Sequence, residues 1–286
     1  MSIKPFIKVP LVLVENVVFS LFPKARPFIE RHLFNPLDFK NDHIGYSRKK
    51  FKEFRKYTGP YVDSKDKTLL ELGPGGSIGF GLLVLENGSK KYIAIDDGTH
   101  TFIDGKRLAQ YSKLLDDTTR SLKRYFIRKD GRLTHNPETI SFASIDQESR
   151  YPLPDGSVDI IYSCAVLEHV HDLDLCFSEM TRVLKDGGVM YHEVDLRDHI
   201  FSQESIRFLT MSDFWFRTLF RNAGGYVNRK RLSHYRSLAA RHGLEILMLL
   251  PTIRYEREDL PEKIRSRYSE EDARVLSFIV VLKKQE

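Results

Sequence analysis

Four short stretches of this chain hold residue types from which an active site can be made. The first is Glu71-Leu72-Gly73-Pro74-Gly75-Gly76-Ser77-Ile78-Gly79, a glycine-rich turn headed by a carboxylate. Glycine has no Cβ, so such a turn lets backbone approach a ligand closely. The second is the acidic pair Asp96-Asp97, beginning 23 residues after Gly73, and the third is Asp146-Gln147. The fourth is a collection of bases: Glu168, His169 and His171, then His192, Glu193, Asp195, Asp198 and His199. A histidine oriented by a carboxylate can take a proton from a hydroxyl nucleophile as a bond forms. His199 or His169 is expected in that role, oriented by Asp198 or Asp195. Plainer roles stand beside it. Glu168 and His169 can shape a turn, and Asp195 and Asp198 can bond loop amides. His192 shares a strand face with Met190 and Val194 and reads as a core histidine.

The elements around these residues alternate in the manner of a parallel sheet covered on both faces. Strands are predicted at Thr68–Leu72, Lys91–Ile95, Thr139–Ile145, Val158–Ser163 and Gly188–Val194, with Leu244–Leu250 and Val275–Leu282 late in the chain. Phe51, Phe54 and Tyr57 mark a helix from Gly45 to Tyr57, closed by Gly59-Pro60. Leu173, Phe177, Met180 and Leu184 mark another, with Asp172 as its N-cap and Gly187-Gly188 after its end. A third is expected over Leu232–His242, and Ser269-Glu270-Glu271-Asp272 signals a helix start. The fold expected is α/β: a Rossmann-like, doubly wound, seven-stranded sheet, mostly parallel, with an antiparallel last strand. Residues 1–60 read as a basic helical segment and 61–286 as the domain, interrupted by insertions at about 98–138 and 196–231. The first insertion holds Arg120–Arg132, basic with Tyr125 and Phe126 interleaved. Long connections at the carboxyl ends of strands are where specificity is usually built.

In this frame the glycine turn ends a buried strand, Asp96 and Asp97 end the second, and Asp146 and Gln147 end the third. A dinucleotide site asks for G-x-G-x-x-G, but its third glycine position is occupied by Ile78. Glu71 also sits poorly beside a diphosphate. S-adenosylmethionine has no phosphate, and its ammonium and sulfonium tolerate a neighbouring carboxylate. Asp96, with Asp97 as neighbour or alternative, can accept both hydrogen bonds of a ribose diol, and Asp146 and Gln147 can receive the adenine amino group. Ser163, at the tip of the fourth strand, is expected beside the same cofactor. Either acidic position can instead cap a helix.

Leu70-Glu71-Leu72-Gly73-Pro74-Gly75, Ile95-Asp96, Tyr151-Pro152-Leu153-Pro154-Asp155-Gly156-Ser157-Val158-Asp159, Ala165-Val166-Leu167-Glu168-His169-Val170 and Arg182-Val183-Leu184-Lys185-Asp186-Gly187-Gly188 together carry a resemblance. They resemble the class I S-adenosylmethionine-dependent methyltransferases, closely over about residues 65–195. Ser77 departs from the family, which often has a third loop glycine there, as does the insertion after the second strand. The resemblance implies that Gly73, Pro74 and Gly75 approach the methionyl part and that Glu71 supports its ammonium through water. It implies that Tyr46 covers the methionine end, where the ring could equally be a packing residue. Leu196-Arg197-Asp198-His199, with Asn228-Arg229 some thirty residues on, is similar to bacterial members associated with sugar and polysaccharide biosynthesis. That likeness implies a small-molecule or glycan acceptor.

Asn228, Arg229 and Arg231 read as a clamp for phosphate or carboxylate, or else as the charged first turn of the following helix. The net charge of +6 is uneven: residues 1–60 hold 12 Lys and Arg against 5 Asp and Glu, leaving 33 against 34 elsewhere. A nucleic-acid partner is therefore not expected, although an RNA methyltransferase using the basic N-terminus and Arg120–Arg132 is the alternative. Val9 to Phe22 is shorter than the roughly 18 apolar residues of a membrane span and contains Pro10, Glu15 and Asn16. It reads as a helical cover for the domain, or as a peripheral membrane contact within residues 1–35. Cys164 and Cys176 make no disulfide framework and suit a reduced, cytoplasmic setting, at a membrane's inner face if that contact forms. No zinc spacing, phosphate loop or N-P-P-Y tetrad is present. A dinucleotide oxidoreductase and a catalytically silent binding protein of the same fold are the remaining alternatives.

Overall fold

The computed structural model describes residues 5–22, 43–96, 103, 105–116, 122–129, 131–145, 149–200, 206–223, 226–257 and 259–286. Its main sheet has seven strands: β1 (Thr68–Leu72), β2 (Lys91–Asp96), β5 (Ile140–Ser144), β6 (Val158–Cys164), β7 (Leu184–Asp195), β8 (Leu244–Arg254) and β9 (Val275–Lys284). They lie in the order β5-β2-β1-β6-β7-β9-β8. β1 pairs in parallel with β2 and β6, and the parallel run extends to β5 and β7. β9 enters antiparallel between β7 and β8. The chain reverses at β1, and the crevice beyond the carboxyl ends of β1, β2 and β6 is where such a sheet takes a ligand.

The strands are apolar on both faces because helices cover both. On one side Leu72, Ile161, Phe177, Met190 and Phe278 share a core, into which α6 (Leu173–Val183) sends Cys176, Phe177 and Met180. Asp172 caps α6, its Oδ1 accepting the Leu175 N–H at 3.0 Å. On the other side α2 (His43–Thr58) and α3 (Gly79–Glu86) close over the sheet. There Phe80 stacks on Tyr162 with centroids 3.8 Å apart, and Phe54 meets both rings edge-on. A Cβ on Gly81 would lie 2.4 Å from the Tyr92 ring, so glycine is what lets α3 sit this close to β2.

Strand and helix bounds differ from expectation by a few residues. α6 ends at Val183 and β7 starts at Leu184, with a register shift against β6 between Val158 and Ile160. β8 runs to Arg254 because the start of β9 offers it a pairing edge, Arg254 opposite Val275. The first insertion is structured. It holds α4 (Gly105–Leu114), α5 (Leu122–Tyr125) and a hairpin of β3 (Phe126–Lys129) with β4 (Arg132–His135). Tyr125 and Phe126 are buried there, the Tyr125 hydroxyl donating to Glu86 at 2.6 Å and Phe126 stacking on Tyr111.

A third cluster forms beyond the carboxyl end of β7. It gathers Val12 of α1 (Pro5–Leu21), Ile200, Ile206, Phe208, Phe216 and Phe220 of α7 (Asp213–Phe220), and Ile264 of α9 (Glu262–Arg265). α8 (Leu232–Arg241) and α10 (Glu270–Arg274) flank it, the latter capped by Ser269, whose Oγ accepts the Asp272 N–H. Among the described residues, no helix is long and apolar enough to cross a membrane.

Candidate active site

The turn after β1 has the backbone its glycines predict. Gly73 and Gly75 adopt φ of +65° and +61° on either side of Pro74. A Cβ on Gly73 would lie 2.5 Å from Val166, whereas nothing stands within 4 Å of one on Gly75. The space over Gly75 is thus open to a ligand, and the Gly75 N–H donates to Asp96 Oδ2 at 3.0 Å. Asp96 therefore sits at the tip of β2 beside the loop. Glu71 is buried, and the Tyr92 hydroxyl donates to its Oε2 at 2.5 Å. Burial pushes the Glu71 carboxyl up to about 8, against the pull of the Tyr92 hydrogen bond, and the Asp96 charge adds to the rise. An open cradle with acidic side chains at the ends of two strands suits the methionyl end and ribose of S-adenosylmethionine.

α2 crosses the carboxyl ends of β6 and β7. Tyr46 hydroxyl lies 3.4 Å from Cys164 Sγ, and Lys50, one turn on, donates to Glu193 Oε2 at 2.5 Å. Cys164 and Glu193 are themselves 3.5 Å apart. Burial first, then the Glu193 charge, pushes the Cys164 thiol up to about 12. Lys50 and Cys164 were not anticipated. Lys50 follows Tyr46 at helical spacing, which puts both on one face and was the available signal.

Ser163 corrects an expectation. Strand alternation sends Cys164 toward Tyr46 and turns Ser163 to the opposite face. There it is fully buried, with Oγ 2.8 Å from His192 Nδ1. His192 is equally buried, and burial pulls its ring down to about 3, so it is a neutral core residue as its strand face suggests.

The two favoured bases come together. The His169 and His199 rings are 5.2 Å apart. His169 Nδ1 lies 2.5 Å from the Tyr226 carbonyl oxygen, which only accepts, so Nδ1 carries the proton and Nε2 is the basic nitrogen. His199 Nε2 lies 3.5 Å from Asp195 Oδ2. Arg197 donates to both oxygens of Asp195, at 2.8 Å from Nε and 2.6 Å from Nη2. Burial opposes ionisation of Asp195, but Arg197 and His199 outweigh it and hold the carboxyl well below the usual range. Asp195 is thus the carboxylate facing His199. Asp198 is buried in the loop, where Oδ1 accepts the Ile200 N–H at 2.8 Å. Glu168, at the base of the cluster, is fully buried, with the backbone amides of Glu168 and Asp195 against its carboxyl. Burial pushes it up to about 8.

Asn228, Arg229 and Arg231 border a groove of about 690 Å³ that opens beside His171. Their polar groups serve the fold. Asn228 Nδ2 donates to the Leu167 and Val170 carbonyls. Arg229 donates to the Phe208 and Met211 carbonyls and to Asp213, over the face of Phe216. Arg231 is buried and donates to the carbonyls of Asp272, Leu196 and Val275. The clamp expected from Arg229 and Arg231 is corrected accordingly, because both guanidiniums are engaged internally. Arg217, Arg221 and Lys230 also line the groove, and none has a side-chain partner among the described residues. Asp97, Asp146 and Gln147 lie outside the described residues.

Residues 70–192 match the family described as methyltransferase domain. No curated protein sequence matches the chain. Among solved structures it is similar to an S-adenosylmethionine dependent methyltransferase of Mesorhizobium loti, at 15% identity and TM-score 0.47, covering 81% of this chain and 97% of that one. It is also similar to a SAM-dependent methyltransferase of Methanosarcina mazei, at 16% identity and TM-score 0.43, covering 79% and 96%. The matched span runs from β1 through the glycine turn and the Glu168-His169 loop into β7, and it defines a class I methyltransferase domain. Residues 70–192 thus carry a methyltransferase domain.

Proposed function

We propose that this enzyme methylates a hydroxyl oxygen of a small-molecule or sugar-type acceptor that carries an anionic group, inside the cell. The cofactor supplies a methyl group already activated by its sulfonium, so the protein's task is alignment and proton removal. Gly73, Pro74 and Gly75 line the methionyl part, Glu71 supports its ammonium, and Tyr46 covers that end. Asp96 holds the ribose, with Asp97 beside it, and Asp146 and Gln147 flank the adenine. The observation that carries the reading is the pair of histidines 5.2 Å apart at the carboxyl ends of β6 and β7. His169, its tautomer set by the Tyr226 carbonyl, takes the hydroxyl proton at Nε2 as the oxygen–methyl bond forms. His199, oriented by Asp195, is the other candidate for that step. Arg217, Arg221 and Lys230 offer the anionic group a polar groove. A nucleic-acid acceptor is disfavoured because Tyr125 and Phe126, the aromatics of the basic stretch, are buried and offer no stacking face.

The test compares His169→Ala with His199→Ala. Both are expected to bind S-adenosylhomocysteine as the native enzyme does, and the one that removes the base is expected to lose about 10²–10⁴-fold in kcat. Full turnover by both variants would exclude histidine base catalysis.

A further inference from the structure

The two faces of α1 have opposite surroundings. Val12, Asn16 and Phe19 are buried, and Asn16 pins the helix to the rest of the molecule. Its Nδ2 donates to the Thr218 carbonyl at 3.1 Å and its Oδ1 accepts the Asn222 N–H at 2.8 Å. At 100° per residue, Pro10, Val14, Val17 and Leu21 fall on the side diametrically opposite, and Phe22 follows at the helix end. No charged residue interrupts that stripe. Val14, Val17, Leu21 and Phe22, together with Phe214 and Trp215 of the adjoining α7, are 54% to 68% exposed. Singly exposed apolar residues are ordinary, but six large ones on two adjoining helices are not.

We propose that the outer face of α1, with Phe214 and Trp215 of α7, docks on the surface of an anionic phospholipid bilayer. Charge complementarity selects this occupant. Arg217 of α7 and Arg221, which follows its last residue, are both exposed on the surface. Basic groups beside an apolar stripe attract anionic headgroups while the apolar side chains enter the acyl boundary. Tryptophan favours that boundary, where its ring is buried and its N–H stays wet. α1 cannot cross the membrane, so it lies in the plane of the surface. Val12 packs in the cluster that holds Ile200, the residue after His199, so docking keeps the loop carrying that histidine close to the bilayer. The inference is independent of which acceptor is methylated.

Trp215 is the sole tryptophan and reports on its own environment. Titration with mixed phosphatidylcholine–phosphatidylglycerol vesicles is expected to shift its emission to the blue, with co-sedimentation that weakens in salt. Phosphatidylcholine alone is expected to bind weakly. Val17→Asp combined with Leu21→Asp is expected to lower vesicle affinity by about tenfold or more, while binding of S-adenosylhomocysteine is retained. If that variant melts early, Val17→Ser with Leu21→Ser, which adds no charge, is the second comparison. The proposal fails if the native protein neither shifts nor sediments with the mixed vesicles, or if both double variants bind as tightly as it does. It fails equally if the native protein is a dimer that becomes monomeric in the variants without vesicle binding, since a second copy then covers the face.

Discussion

The carboxyl group of Glu168 is enclosed by the loop after β6, with Asp195 and Glu193 near enough to raise its proton affinity further. It holds its proton up to about pH 8, whereas an unfolded chain releases it near 4.5. Between those values the folded state binds the extra proton, so stability falls as pH rises, and the contribution is complete only below the unfolded value. Glu168→Gln removes that dependence. Relative to the native protein, its Tm is expected to improve between pH 5 and pH 8 by on the order of 5 °C, read by calorimetry at both pH values. An identical pH profile for the two proteins would mean that Glu168 is ionised in the fold. His192 works the other way. It stays neutral to about 3 while the unfolded ring protonates near 6.5, so acid below 6.5 weakens the fold.

Arg231 acts on elements. It joins the end of β7, through the Leu196 carbonyl, to α10 and the start of β9, through those of Asp272 and Val275. Burial lowers its guanidinium to about 10, still well above neutrality. Arg231→Met leaves three interior carbonyls without their donor and is expected to destabilise by about 3–5 kcal/mol. Denaturant melts check this, and folded variant is expected to keep a native KM for the acceptor. A raised KM with unchanged stability would restore Arg231 to the acceptor clamp. The misassignment has a physical cause. A cation beside a groove in sequence looks like a ligand-binding group, and only the backbone that closes around it shows whether its donors are already engaged. Lys50 shows the converse, since its helical spacing from Tyr46 was legible but Glu193 comes to it from 143 residues away.

The whole molecule is a switch-point crevice whose floor is the Glu71–Gly79 turn and whose roof is α2. Binding to the folded state alone stabilises it, so S-adenosylhomocysteine at about a hundredfold over its Kd is expected to add about 2.7 kcal/mol, or roughly 5–10 °C in Tm. NAD at equal concentration is expected to add nothing, because Ile78 occupies the place of the glycine that dinucleotide packing needs. A larger shift with NAD would reverse the cofactor assignment.

The sequence by itself determined the order of the strands along the chain, the glycine turn, the carboxylate at the tip of β2 and hence the methyl donor. These are local facts: a buried strand is a continuous apolar run, and a left-handed turn requires glycine within a few residues. Only the tertiary structure decided which bases meet. His169 and His199 are thirty residues apart and become neighbours because β6 and β7 pair in parallel, which aligns their carboxyl ends. The pleat decided that Cys164 rather than Ser163 faces Tyr46, a difference of one residue that the apolar pattern of a doubly covered strand does not reveal.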